Sequence, residues 1–449
     1  MEEFIKSVTD QIRCVRARAG VAKELSNHIE DQTVAYEEEG DSHEEALKRA
    51  VREMGDPVEV GVELDRIHRP QADFKMIGMA FVFSVAGFFV LCATSGLAAF
   101  PEYLIRQFFV LLLSFGVMAG MYFLDYSFIG RYVYGIYVFV TLAIYIGSIY
   151  TGWGGMTPKT FMLAYLYVPV YAGILYRLRG KGYDAVIWGI VIQIFNAIFM
   201  LAFSKTTLYT VLNVSMICMV LLLLAVWKKW FAIDRKTATG IIIAALVGLP
   251  AVLLIGRSIL FGVAYGFQTE RLLAWLNPDK DAAGAGYIYQ WIRQELGAAK
   301  FIGKSRSIYF MDDALIGSLE LYPSTPFVLL QLICTYGILA GLALVIAFAA
   351  VIIRALQIVK RQKNQLGFMI SVACLMVFLV NCLEGVLINT GYCPVSSMQL
   401  PFVSYGACTG VTYAVMIGLL LSVHRNEKII TDETACRPAW RLSIKWEKR

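Results

Sequence analysis

The sequence predicts an all-α polytopic membrane protein, with about ten transmembrane helices and a small cytosolic three-helix head. Three observations lead there. Hydrophobic residues fill 58% of the 449 positions and charged ones 16%, with a mean hydropathy of +0.62. Soluble domains carry about a quarter charged residues, and one soluble core cannot hide this much apolar surface. From residue 76 onward, apolar runs recur at close to the roughly 20 residues that cross a bilayer. Charge also divides unevenly, with a net of −7 over residues 1–70 and +13 over residues 71–449. A boundary near Pro70 therefore separates an acidic soluble head from a membrane body with basic loops.

The head reads as three short helices. Phe4, Ile5, Val8, Ile12 and Val15 fall on one helical face, and Val21, Leu25, Ile29 and Val34 on the next. Ser42 and Glu45 have capping-box spacing ahead of Leu47, Ala50, Val51 and Met54, and Gly55 with Asp56-Pro57 ends that helix. On this period and the stretch EEGDSHEEALKRAVREMGDP, the head resembles permease-prefix-type domains of bacterial membrane proteins. His28, His43 and His68 lack metal-ligand spacing and read as solvated or half-packed side chains. The first apolar run begins only after Phe74, so no cleavable signal peptide is expected.

Ten spans follow, near 76–98, 105–124, 133–150, 158–176, 184–203, 208–227, 238–262, 326–353, 366–388 and 403–423. Basic residues mark alternate ends. Lys75 precedes the first span, and Arg131, Arg177, Arg179, Lys181, Lys228, Lys229, Arg235 and Lys236 follow later ones. Arg354, Lys360, Arg361, Lys363, Arg425 and Lys428 complete the same side. The positive-inside rule then puts both termini in the cytoplasm and the long loop 263–325 outside. The expected domains are a head over 1–70, a ten-span body over 76–425 and a basic cytosolic tail over 426–449. Cys92, Cys218, Cys334, Cys374 and Cys382 lie inside apolar runs without a CxxC pair, as small buried hydrophobes do.

Two stretches carry the functional signal. The loop between spans seven and eight, RLLAWLNPDKDAAGAGYIYQWIRQELGAAKFIGKS, is longer and more aromatic than a connector needs. Arg271, Tyr287, Gln290 and Trp291 would give it a polar, aromatic underside suited to sugars or a phosphate headgroup; a packed outer cap is the plainer alternative. The stretch PVSSMQLPFVSYGACTG at 394–410 crowds helix-disturbing residues at the mouth of the last span. At membrane depth, non-helical backbone survives only where protein or a water-filled cavity satisfies it. Pro394 and Pro401, with Ser396 and Ser397 between them, fit a re-entrant or kinked entry. Ser404, Tyr405 and Gly406 would face the cavity.

Together with NPDKDAAGAGYIYQ and TPFVLLQLICTYGILAG, this stretch resembles the SEDS family (shape, elongation, division and sporulation; the FtsW, RodA and SpoVE proteins) over roughly residues 76–425. The resemblance implies a bacterial inner-membrane glycosyltransferase that polymerises lipid-linked peptidoglycan precursor beside a class B penicillin-binding protein. It implies no cofactor. No phosphate-cradling glycine loop, His/Cys metal cluster or nucleic-acid motif is visible.

The charged residues of that family do not carry over. The aspartate taken as general base at the start of span eight corresponds to Pro326, which cannot accept a proton. The paired glutamates further along that helix correspond to Cys334 and Thr335. In span four a glutamate and an inward lysine correspond to Thr160 and Leu163. A proline-aspartate pair after span five is absent from FSKTTLYT, and an asparagine in span nine corresponds to Gly385. Glu384, near the outer end of span nine, is the acid at membrane depth that remains as a functional candidate. Its bland alternative is an interfacial carboxylate bonded to Asn381 or Asn389. Asp312, Asp313 and Glu320 read as loop acids. Three functions stay open: a divergent SEDS-type protein with weak or no transferase activity, an active polymerase with relocated acids, and a transporter or flippase for lipid-linked substrates. The spans lack the paired charges that would couple an ion gradient to transport.

Overall fold

The computed structural model describes residues 1–70, 72–94, 101–151, 161–202, 207–261, 273–281, 284, 286–305, 327–396 and 399–430. Among these residues every regular element is helical. The head holds four helices rather than three: α1 (Glu2–Gln11), α2 (Val15–Glu38), α3 (His43–Glu53) and α4 (Pro57–Ile67). The fourth follows from the Asp-Pro pair. Asp56 accepts the Val58 N–H at 2.8 Å and Pro57 takes the first helical position, so the residues that end α3 also start α4. Val8, Ile12, Val21, Leu25 and Ile29 are buried as expected, while Val15 and Val34 are exposed. The chain breaks over residues 12–14 and α2 restarts with a new phase, turning Thr33 inward instead. Asp65 of α4 accepts the Arg13 N–H at 2.8 Å and pairs with Arg69 at 3.1 Å. The Arg13 bond leads in holding its carboxyl below the usual range, with Arg69 helping and desolvation opposing.

The membrane body runs through α5 (Phe74–Thr94), α6 (Pro101–Phe123), the short α7 (Ser127–Arg131) and α8 (Val133–Thr151). A 3-10 turn (Phe161–Leu166) leads into α9 (Tyr167–Arg177), then come α10 (Tyr183–Ala202), α11 (Leu208–Trp227) and α12 (Arg235–Phe261). After the loop helix α13 (Tyr287–Ala298) come α14 (Val328–Tyr336), α15 (Ile338–Arg361), α16 (Gln365–Asn389) and α17 (Ala407–Arg425). Seven of the described helices are long and apolar enough to cross a membrane: α5, α6, α10, α11, α15, α16 and α17. The three further spans expected from sequence fall on apolar helix over 133–149, on 161–177, and on α12, which carries Pro250 within it.

The 3-10 turn and α9 form the centre of the bundle. Tyr165, Tyr167, Tyr171 and Tyr176 are fully buried there. A helix buried all round must satisfy its polar tips inside protein. Tyr167 Oη donates to Thr141 Oγ1 at 2.8 Å, and Tyr171 Oη to the Gly189 carbonyl at 3.1 Å. On one side of this centre α17 lies close along α6, where Gly410 faces Ser114 and Gly418 faces the Met118 carbonyl. Small residues permit that approach. At the foot of the first span, Asp73 caps α5 through the Met76 N–H at 3.1 Å and pairs with Arg354 of α15 at 2.9 Å.

Candidate functional site

The entry to the last span is bent by its own sequence. Phe402 adopts φ +63° and the Val403 N–H donates back to the Pro401 carbonyl at 2.8 Å, a γ-turn of the rarer positive-φ form. Gly406 then takes φ +135°, open to glycine alone without strain, so α17 starts at Ala407. The surroundings are cut to fit. The Phe402 carbonyl lies against Gly87 of α5, where no side chain would fit. Leu400, fully buried, fills the space above Gly385 of α16 that a side chain at that position would occupy. Gln399 ties the bend to α17: its side-chain oxygen accepts from Thr409 Oγ1, and its carbonyl from Tyr413 Oη at 3.2 Å. The Gly406 N–H reaches Gln107 Oε1 of α6 at 3.4 Å.

Beside this bend stands a polar cluster around Glu384. The first two turns of α11 supply Asn213, whose Nδ2 donates to Glu384 Oε2 at 2.8 Å, and Tyr209, which also hydrogen-bonds the carboxylate. Tyr209 Oη further contacts Cys393 Sγ at 3.3 Å. Tyr165 of the central 3-10 turn bonds Asn213 and lies within electrostatic range of Glu384, as does Tyr413 of α17. The sequence alternative that paired Glu384 with Asn381 or Asn389 is corrected by these contacts. Asn389 is spent on backbone, accepting the Leu330 N–H at 2.9 Å and donating to the Gly385 carbonyl at 2.7 Å. Asn381 is fully buried and lies beside the Tyr413 hydroxyl of α17. Closeness in sequence points to those asparagines, whereas the real partner comes from a different span. Asn213 and Tyr209 went unnamed from sequence, although polar residues in an apolar run are the available signal.

The other expected site residues divide. Pro394 is half-buried and Pro401 buried, both in the bend; Ser404 is buried with its hydroxyl unpartnered, and Tyr405 is half-buried. On the loop helix α13, Gln290 bonds Asp279 of its own loop at 3.1 Å and Tyr287 packs on the core. It is Tyr289 that reaches the bend, accepting the Val395 N–H at 3.0 Å. Trp291 is buried edge-on to Phe327 at 5.5 Å. Glu295, also buried, accepts from the Cys334 thiol at 3.7 Å. Arg271, Thr160, Pro326, Asp312, Asp313 and Glu320 lie outside the described residues. Among the described residues, no His, Cys, Asp and Glu group has the arrangement of a metal site.

The cluster can accept hydrogen bonds from hydroxyl groups through its carboxylate, amide and phenol oxygens. Leu163, half-buried in the 3-10 turn, brings no positive charge to it.

Comparison with known proteins agrees with this architecture. The FtsW/RodA/SpoVE family, described as cell cycle proteins, matches residues 160–429, well over half of the chain. Relatives include the peptidoglycan glycosyltransferase MrdB of Escherichia coli K12, 24% identical over 38% of this chain and 45% of its own. Stage V sporulation protein E of Bacillus subtilis is 25% identical over 39% and 47%. The chain thus spans about half the length of the curated relatives it matches. Solved structures extend the likeness at the level of fold. A chain of a peptidoglycan synthase complex superposes with a TM-score of 0.59 at 18% identity, over 79% of this chain and 98% of its own. RodA of Thermus thermophilus gives 0.50 at 16%, over 79% and 97%. The chain belongs to the FtsW/RodA/SpoVE family of cell cycle proteins, and its fold is theirs.

Proposed function

We propose that this protein acts in peptidoglycan synthesis, cell shape or division by binding lipid-linked precursor in its outward cavity, with weak or no glycosyltransferase activity. One observation carries the reading. The bundle around the bend has the family's fold, but the carboxylate beside the bend, Glu384, is already engaged by Asn213 and Tyr209. The positions to which the resemblance assigns charge hold Pro326, Leu163, Cys334, Thr335 and Thr160. Glycosyl transfer needs a base for the acceptor hydroxyl and positive charge for the departing phosphate. Neither is supplied at those positions.

In this reading Pro394, Pro401, Ser404, Tyr405 and Gly406 shape the mouth. Glu384 and Asn213 read sugar hydroxyls, and Arg271, Tyr287 and Gln290 belong to the loop above. The division into a head over 1–70, a body over 76–425 and a tail over 426–449 is part of the proposal. So is a bacterial inner-membrane location with both termini cytoplasmic, which the basic loops support. A chain that this protein resembles in fold comes from a peptidoglycan synthase complex, and a class B penicillin-binding protein is the partner proposed here. The acidic head would take a cytosolic partner.

A second reading, an active polymerase with relocated acids, is favoured by Glu295. It places a carboxylate beside Cys334, where the resemblance expects one of the paired glutamates. Binding separates substrate recognition from chemistry. Nanodisc-embedded protein titrated with lipid-linked disaccharide-peptide should saturate, and Glu384→Gln should weaken it by about tenfold, or ~1.4 kcal/mol. Absence of saturable binding would remove the cavity from the account.

A further inference from the structure

The end of the outer loop is joined to span eight in a way the family resemblance does not require. Span eight is broken: α14 stops at Tyr336, Gly337 takes φ +101°, and α15 restarts at Ile338. A helix break leaves backbone donors and acceptors without partners, and lipid supplies none. Here the segment 300–305 supplies them. The Lys300 carbonyl accepts the Ile338 N–H at 3.0 Å and the Phe301 carbonyl accepts the Leu339 N–H at 3.3 Å. In return, the Gly303 N–H donates to the Tyr336 carbonyl at 2.9 Å and the Ser305 N–H to the Cys334 carbonyl at 2.8 Å. Gly337 has no room for a side chain, because a Cβ would stand 2.6 Å from the Phe301 oxygen.

The arm so fixed reads Lys-Phe-Ile-Gly-Lys. Phe301 is 66% exposed and Ile302 70% exposed, and Lys300 and Lys304 on either side are exposed too. Two large apolar side chains presented this fully are costly in water. They continue a surface that lipid must cover, since Tyr336, Ile338, Leu339, Leu342 and Ile346 are exposed along the same break and helix. Depth agrees. Arg354, paired with Asp73 at the foot of the first span, marks the basic end of α15, and the stretch from Ile338 to that point extends about 24 Å at ~1.5 Å per residue, against a hydrocarbon core of about 30 Å. The break therefore lies among acyl chains, roughly 6 Å short of the far headgroup boundary. Lysines there extend their heads to lipid phosphates while their stems stay among chains.

We propose that residues 300–304 are a membrane anchor that inserts Phe301 and Ile302 among acyl chains and sets Lys300 and Lys304 against anionic phospholipid headgroups. The anchor holds the loop helix α13, and with it Tyr289, at a fixed height over the bend. It rests on the proposed topology only for the choice of the outer leaflet.

The test uses the full chain in nanodiscs of phosphatidylglycerol and phosphatidylethanolamine. A nitroxide at Ile302→Cys is compared with one at the exposed loop position Asp279→Cys, after subtraction of the labelled parent spectrum. The ratio of oxygen to nickel-chelate collisions should be several-fold higher at 302 than at 279. It should fall when Lys300→Glu and Lys304→Glu are combined. Equal ratios at 302 and 279 would overturn the anchor and leave the patch to a protein partner, since no other protein is present. Phe301→Cys gives the same readout independently should the Ile302 variant fold poorly. Addition of the chelate from one face of intact vesicles assigns the leaflet separately, so a failed topology and a failed anchor give different results.

Discussion

At the scale of single residues, Gly385 and Leu400 form one decision rather than two. Where the family resemblance expects an asparagine, the glycine opens space and Leu400 closes it again. Gly385→Asn alone should therefore overpack the bend and destabilise the protein by about 1–3 kcal/mol. Pairing it with Leu400→Ala should recover part of that loss. Thermal unfolding in detergent across the four proteins of this cycle measures the coupling, and additive losses would show the two sites to be independent. Asn213 is the second test. Its replacement by leucine leaves the Glu384 carboxylate one donor short in a half-buried setting, at a cost of about 1–3 kcal/mol by the same assay. This partnership was not legible in the sequence, since Asn213 and Glu384 lie 171 positions apart. What the sequence carried was the type of residue, an acid in an apolar run; what it lacked was which span would face it.

At the scale of elements, the breaks matter more than the helices. The spans were readable because apolar runs of bilayer length leave few alternatives, and the bend at 394–410 was readable because proline and glycine constrain backbone directly. The break at Gly337 was not. One glycine in an apolar run is also compatible with a continuous helix, and only the arm at 300–305 makes the interruption favourable. The fourth head helix escaped similarly, because Asp-Pro serves equally as a stop and as a start. Gly337→Val should expel the arm, and hydrogen exchange at the Ile338 and Leu339 amides should accelerate; unchanged protection would mean the break persists without it.

The joint between head and body is a second element-scale test. The Asp73 side chain is 1% exposed and that of Arg354 17%, so breaking the pair by Arg354→Ala should cost roughly 3–5 kcal/mol. Desolvation opposes ionisation of Asp73, but the bonds from Arg354 and Met76 prevail and hold its carboxyl below the usual range. The folded form therefore binds that proton less readily than the unfolded form. The pair's contribution is fully present above an ordinary aspartate pKa of about 3.9 and is lost as pH falls through the lower folded value. Melting temperatures of wild type and Asp73→Asn should converge in that acid window and separate above it. A constant gap down to low pH would contradict the assignment.

At the scale of the whole molecule, family membership and fold cover the bundle, while the positions to which the family resemblance assigns charge read Pro326, Leu163, Cys334, Thr335 and Thr160 in this sequence. Fold alone does not determine activity, which depends on particular groups in a site. The direct measurement is polymerisation by the purified protein, reconstituted with lipid-linked disaccharide-peptide and read as glycan strands on a gel. The account predicts that wild type binds precursor, that Glu384→Ala binds it more weakly, and that neither makes strands. Strands made by the wild type and abolished by Glu384→Ala would contradict it and establish a polymerase with a relocated acid.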